Sequence, residues 1–466
     1  MNLIYRSRFV NRETELKFIT SKLIALPTSR RNFDFILTVS GVAGIGKTSL
    51  LKRVEQEAQA KNIPVIWITF DAPEAKQDNL LYLFQQLIQT ISNPTIQSAW
   101  QEYESSRGVV EEAFPFVRDR LIQTLVDELV DRPMVWQFDD THLMSTEVRE
   151  VVEDILTHIG NDHRLFLIMA GRDTVRWNSF ELRRRTRSFP LASLPKDAAQ
   201  QLAPDALYAP ITDQMYDLTR GYPKASVMAY EWIANNLATK TANLSQALKS
   251  HESELILALF DDLFEQYILG DIPDRAKTSQ LLRYISPLRR FDDHLLSNLL
   301  PALNKELFAE LSILEARSLT RQVAIQTYLI KWHSGRMAYI LEPPVRQLLY
   351  LDLKYRDNRK LQQIHEFMRN WYKQAIDETL QKDASSPQSV VYFLEYLYHY
   401  MELERLTGRS VETINQAIRQ KIDQQFTHYQ LRERNHFLEE LKRDTIILEI
   451  LADDRTLIDH VTRIVE

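Results

Sequence analysis

The chain has 466 residues, a net charge of −6, 44% hydrophobic and 26% charged residues, and no cysteine. Its length exceeds one ordinary core and points to about three domains. The acidic balance gives no global pull toward nucleic acid or anionic membrane, and the missing cysteines exclude disulfides, thiolate metal sites and thiol nucleophiles.

The first twenty residues carry Arg6, Arg8, Arg12, Glu13 and Glu15, which does not fit a signal peptide. No run of about 18 apolar residues occurs, so no transmembrane helix is expected, and the chain reads as cytoplasmic. The stretch Phe33 to Val39 reads as a buried strand, and a helix is expected from about Lys47 to Ala60. Further strands are expected at Ile63 to Phe70, Met134 to Phe138 and Arg164 to Ala170. Helices are expected between them, at Leu80 to Ile91, Leu121 to Val130 and Val148 to Ile159, and residues 93 to 117 read as a polar insertion. Continuous apolar strands alternating with helices mean a parallel sheet covered on both faces. This α/β unit is expected to fill residues 1–194.

Beyond it the pattern is mainly helical. Helices at Lys196 to Leu202, Thr212 to Thr219, Lys224 to Leu237 and Leu244 to Tyr267 make a subdomain over 195–270. In 271–350, three short helices (about 277–285, 292–301 and 304–316) precede two strands, Thr320 to Thr327 and Lys331 to Leu341, the second broken at Ser334-Gly335. That order predicts a winged helix. Residues 351–466 read as a C-terminal helical domain, with Phe393, Leu397, Tyr398 and Met401 on one apolar face of a helix, better suited to core than to a partner groove.

Only ten glycines occur, and Gly41, Gly44 and Gly46 fall within six residues. Gly41-Val42-Ala43-Gly44-Ile45-Gly46-Lys47-Thr48 fits G-x-x-x-x-G-K-[ST], with a strand before it and a helix after it. Glycines let successive N–H groups turn toward phosphates, and the helix N-terminus adds partial positive charge. The nucleotide-binding set is therefore residues 41–48 with Ser49. Lys47 is expected on the β and γ phosphates and the Thr48 hydroxyl on Mg²⁺. Asp139-Asp140 ends the third strand, where α/β ligands bind. Asp139 would hold the metal and Asp140 would orient or deprotonate the attacking water. Arg172, at the end of the fourth strand, suits a γ-phosphate. His142 reads as a solvated loop residue, and the run Arg183-Arg184-Arg185 with Arg187 as a solvated basic face.

Together these motifs resemble the STAND class of P-loop ATPases, AAA+-related signalling switches that include NACHT and NB-ARC proteins. The resemblance covers about residues 9 to 350. It rests on Phe9-Val10-Asn11-Arg12-Glu13-x-Glu15-Leu16, on Phe138 to Leu143, on Ile168 to Arg172, and on Leu218-Thr-Arg-Gly221-Tyr222-Pro223-Lys-Ala225. It implies an ASCE-type α/β P-loop core followed by helical subdomain, winged helix and C-terminal helical domain. It also implies Val10, Arg12 and Pro223 near the adenine. Asn11 replaces a glycine usual in the family. Glu342, in Tyr339-Ile-Leu-Glu342-Pro343, stands where many relatives have an ADP-holding histidine, and a carboxylate repels a phosphate.

The expected activity is slow ATP hydrolysis with Mg²⁺, driving self-association and control of a separate protein effector or sensor. A second reading is an AAA+-like ATPase recruited to nucleic acid through the winged helix. It is less favoured, because the helix expected at 304–317 carries three acids against two bases. A third is a degenerate P-loop that binds without hydrolysis, which the intact Lys47, Thr48, Asp139 and Asp140 disfavour. No membrane partner is expected.

Overall fold

The computed structural model describes residues 9–28, 35–90, 94–106, 119–120, 122–124, 126–127, 132–159, 163–237, 243–270, 272–309, 311–383, 386–451 and 454–465. These form two compact units, residues 1–249 and 250–466.

In the first unit five parallel strands lie in the order β2-β3-β4-β1-β5: β1 Ile36–Ser40, β2 Val65–Thr69, β3 Met134–Asp139, β4 Leu165–Gly171 and β5 Thr186–Pro190. β4 is inserted between β1 and β3, so the strand that precedes the glycine loop and the strand that carries the aspartate pair are not neighbours. β1, β3 and β4 are buried at every position, which is why each reads as a continuous apolar run. Helices Lys47–Gln59, Asn79–Thr90 and Thr146–Ile159 cover the sheet. Their core includes Trp136 stacked near Phe138 (5.9 Å) and Phe138 edge-on to Phe70 (5.8 Å).

The predicted α/β order holds, with two differences. The strand β5 is absent from the sequence reading because Thr-Arg-Ser-Phe-Pro is a polar, partly exposed edge strand, with no apolar signature. Residues Pro94–Ser106, expected within a polar insertion, form a helix whose Trp100 packs on Phe84. The rest of that insertion, residues 93 and 107–117, lies outside the described residues, as do 33–34 of the first expected strand and parts of the expected helix at 121–130.

After β5 the chain forms short helices Lys196–Gln200 and Thr212–Thr219, then Pro223–Asn236. The expected single helix from Leu244 to Tyr267 is instead three elements: Leu244–Ser250, Glu252–Leu259 and a wide π-turn segment Phe260–Ile268, in which Phe260 and Phe264 stack at 5.1 Å.

In the second unit, helices Arg275–Ile285, Asp293–Leu303 and Ile313–Thr327 precede an antiparallel hairpin, β6 Ile330–His333 and β7 Ala338–Leu341. A single bridge joins Phe291 to Tyr339 beside it. The third helix therefore starts nine residues later than expected, and Thr320 to Thr327 is helix, not strand. Buried Ala316, Thr320, Val323 and Thr327 recur with helical spacing. A capping box starts the helix: the Glu315 amide donates to Ser312 Oγ (3.3 Å) and the Ser312 amide to Glu315 Oε2 (2.8 Å). The segment expected as that helix fails because Asn304 is extended and ends the previous one. Glu342 precedes helix Pro343–Arg356 and forms an ion pair with Lys331.

Long helices Asn358–Lys382 and Pro387–Leu406 pack together, followed by Val411–Phe426, Leu431–Arg443, Thr445–Leu451 and Asp454–Val465. Phe393, Leu397, Tyr398 and Met401 are all in the core of this bundle. The buried side chain of Arg289 ties it to the preceding segment, pairing with Glu395 (3.0 Å) and with Asp444. Within that preceding segment the half-buried Arg283 pairs with Asp352 (2.8 Å).

Candidate nucleotide site

β1 ends in the loop Gly41 to Gly46, and the helix Lys47–Gln59 begins at once. Gly41, Gly44 and Gly46 have φ of 154°, 75° and 105°, a region open to glycine and strained for other residues. A Cβ on Gly46 would meet nothing within 4 Å, so its constraint is backbone conformation alone.

The loop's carbonyls are held from outside. The carbonyl of Ala43 accepts from the Tyr222 hydroxyl, that of Gly44 from the Lys224 amide (3.2 Å), and that of Ile45 from the Arg12 guanidinium (3.2 Å). No peptide here is cis, and in a trans peptide the C=O and the next N–H point in opposite directions. With these carbonyls turned outward, the amides of Gly44 and Gly46 face the other side, where an anion would sit. Lys47 Nζ donates to the carbonyls of Gly41 (2.8 Å) and Val42 (3.0 Å).

At the foot of the loop Thr48 Oγ1 donates to Asp139 Oδ2 (2.7 Å), and the second oxygen of Asp139 accepts from the Asp140 amide (3.0 Å). A hydroxyl and a carboxylate side by side are hard oxygen donors suited to Mg²⁺. The inward amides and this donor pair together fit a magnesium-bound polyphosphate. Asp140 has a left-handed backbone, φ 53°, and Thr69 Oγ1 donates to its carboxylate over 3.4 Å. Burial, then the charges of Asp139 and Asp71, raise its pKa against the opposing pull of Lys47 and Arg172.

β4 ends at Gly171, where a Cβ would lie 2.4 Å from Thr141 Oγ1. Glycine lets Thr141 donate to the Ala170 carbonyl (3.2 Å), tying the end of β4 to the turn after Asp140. Arg172 comes next, close enough to Asp140 and His142 to shift both titrations. His142, expected as solvated, is instead half-buried: burial, then Arg172 and Lys47, push its pKa down to about 3. It is neutral at physiological pH beside the phosphate loop.

Arg12 is buried, and its guanidinium also donates to the Ala192 carbonyl (2.8 Å). Asn11 and Arg12 both take left-handed φ, 59° and 74°. Asparagine tolerates that conformation better than most residues, which accounts for its standing at a glycine position. Val10 packs against Leu194, Ala198 and Ala199. Pro223 occupies the first turn of its helix, where its missing N–H costs nothing. Ser49 is exposed on the loop helix. In the basic run, Arg183 and Arg184 lie over the Phe180 ring (5.9 and 5.8 Å), and Arg185 pairs with Glu181 (3.3 Å).

Tyr222 and Lys224 are site residues that the sequence reading does not single out. The signal lies in the adjoining Gly221, whose Cβ would fall 2.0 Å from the Leu194 carbonyl. A glycine demanded there announces close packing between the segment at 194 and the start of the Pro223 helix.

Residues 8–168 match the AAA ATPase domain family. No curated protein matches the chain. Among solved structures, the chain is similar to the Thermotoga maritima RuvB Holliday junction branch migration motor, at 15% identity over 73% of this chain and 96% of that one, TM-score 0.36. Cdc6p from Pyrobaculum aerophilum is 12% identical over 75% and 96%, TM-score 0.38. The Aeropyrum pernix ORC1 protein, solved in complex with DNA, is 12% identical over 74% and 94%, TM-score 0.37.

Proposed function

We propose that the chain is an ATP-binding and ATP-hydrolysing switch of the STAND type, whose nucleotide state controls assembly with a partner protein. The observation that carries it is the Thr48–Asp139 hydrogen bond beneath a loop whose amides converge on one side. In this reading Lys47 leaves the Gly41 and Val42 carbonyls for the β and γ phosphates. Thr48 and Asp139 hold magnesium, which when bound neutralises phosphate charge. Asp140, its basicity raised by burial and by Asp139, orients the attacking water and accepts its proton. Arg172 meets the γ-phosphate.

The four segments 1–194, 195–270, 271–350 and 351–466 are the nucleotide domain, the lid, a winged helix and a C-terminal regulatory domain. The lid contacts the phosphate loop through Tyr222 and Lys224, so a ligand that reorders the loop biases the lid. The test is the mass of the protein by light scattering with no nucleotide, with ADP, and with a non-hydrolysable ATP analogue, each with magnesium. Assembly only with the analogue supports the switch; a monomer in all three conditions opposes it.

A second reading, an ATPase recruited to nucleic acid, is favoured by the position of the third helix. Helix Ile313–Thr327 carries Glu315, Arg317 and Arg321, and Glu315 is taken up by the capping box. The excess of acids that weighs against this reading belongs to a different segment. Arg321 and, on the hairpin, Arg336 are exposed and form no ion pair among the described residues. Arg317 is held by Asp293 (2.9 Å). A duplex DNA titration decides: affinity that falls steeply with salt and is lost in the Arg321→Glu, Arg336→Glu double variant supports it, and no binding at low salt rejects it.

A further inference from the structure

We infer that Tyr222 is a positioning residue for the phosphate site, acting through the peptide between Ala43 and Gly44; the inference rests on the nucleotide-site reading above. The Tyr222 side chain is fully buried, and its hydroxyl donates to the Ala43 carbonyl. That bond turns the carbonyl away from the site and, because the peptide is planar and trans, turns the Gly44 amide into it. The opposite orientation of the same peptide would aim a carbonyl dipole at a phosphate and repel it. Gly44 has no side chain to resist such a flip and sits at φ 75°, so the loop itself supplies little preference. The tyrosine hydroxyl supplies it.

Tyr222 is itself held rigidly. The Leu194 amide donates to the Gly221 carbonyl (2.9 Å), and only glycine fits at 221. On the other side Ser226 Oγ donates to the Tyr222 carbonyl (3.0 Å) and pairs with Thr219 Oγ1 (2.9 Å). The ring therefore reports the seating of the helix Pro223–Asn236 with little slack. A Cβ on Gly44 would stand 2.5 Å from the Lys224 Cβ, so glycine is needed there for the helix to seat as well as for the turn. The consequence is reciprocal coupling. A phosphate that draws the Gly44 amide inward holds the Ala43 carbonyl outward for Tyr222, and a seated helix prepares the loop for the phosphate.

The experiment compares ADP and adenosine binding, with magnesium, by calorimetry on the full chain and on Tyr222→Phe, which removes only the hydroxyl. ADP affinity is expected to weaken about three- to tenfold, the worth of one hydrogen bond. Adenosine, which uses no loop amide, is expected to bind both alike. Unchanged ADP affinity, or an equal loss for both ligands, overturns the positioning role. Lys47→Ala run alongside separates the two levels: ADP binding equal to wild type would remove the nucleotide site from this loop altogether. Hydrogen exchange on the wild-type chain gives an independent answer if the variant does not fold. Saturating ADP is expected to slow exchange in residues 219–228 as well as in 41–48. Protection confined to 41–48 overturns the coupling.

Discussion

Thr48 and Asp139 are 91 residues apart in sequence, yet the hydroxyl of one donates to the carboxylate of the other over 2.7 Å. Thr48 opens the loop helix and Asp139 closes β3, and β4 stands between β3 and the strand that feeds the loop. The pair brings a neutral and an anionic oxygen to one point at the carboxyl edge of the sheet. Replacing Asp139 by Ala is expected to abolish the magnesium dependence of ATP binding while leaving metal-free binding near wild type. Titrations with magnesium and with chelator check this; an undiminished magnesium effect would remove Asp139 from the metal site.

Lys47→Ala is expected to abolish triphosphate binding. The ammonium group donates to the Gly41 and Val42 carbonyls, neutral acceptors that an anionic phosphate can outcompete. Retention of micromolar ATP affinity would refute the assignment.

Asp140→Asn is expected to preserve nucleotide binding and to slow hydrolysis by at least about tenfold, below the usual range for a positioned general base. The pH profile gives a second check. Because the Asp140 pKa is raised, its carboxylate protonates at a higher pH than an ordinary aspartate, near 3.9. Turnover should therefore fall on acidification with an inflection above that value, and the inflection should vanish in Asp140→Asn. A flat profile in the wild type would remove Asp140 from catalysis.

His365 and His399 face each other through their Nδ1 atoms at 2.9 Å, both fully buried. One ring must donate and the other accept, so the pair cannot be doubly protonated without losing its hydrogen bond. Burial, with Arg346 facing the pair, pushes His365 down to about 3; burial, His365, Arg289 and Arg346 push His399 well below its ordinary value. Both folded pKa values lie below the unfolded value, so the unfolded chain binds more protons at acid pH. Stability is full above about pH 6.5 and is lost as pH falls toward 3, by about 1.4 kcal/mol per pH unit for each histidine. Urea unfolding of the second unit's signal at pH 7 and pH 5 measures it. A His365→Phe, His399→Leu variant should lose most of that dependence; an unchanged slope would count against the pair.

Gly221→Ala is expected to destabilise the first unit and to loosen nucleotide binding. The added Cβ would fall 2.0 Å from the Leu194 carbonyl at φ 70°, a clash with backbone that cannot be relieved by a rotamer change. A fall in melting temperature together with weaker ADP affinity is the expected result; wild-type values for both would mean the segment at 194 is free to shift.

Much of this protein is determined by contiguous sequence. The glycine loop from Gly41 to Thr48 is legible because phosphate binding needs successive amides of one short segment, and the strands before Asp139 and Gly171 are legible because a parallel strand buried on both faces is apolar at nearly every position. The capping box Ser312-x-x-Glu315 is equally local and marks the true third helix, although the helix expected from apolar spacing lies nine residues too early. Other features are decided only by the tertiary structure. β5 is polar, and its place beside β1 comes from backbone pairing, which leaves no trace in side-chain pattern. His142 is shielded by elements distant in sequence, and burial, not residue type, sets its charge. Tyr222 reaches Ala43 across 179 residues, a contact that no periodicity encodes because it depends on where the chain returns after β5.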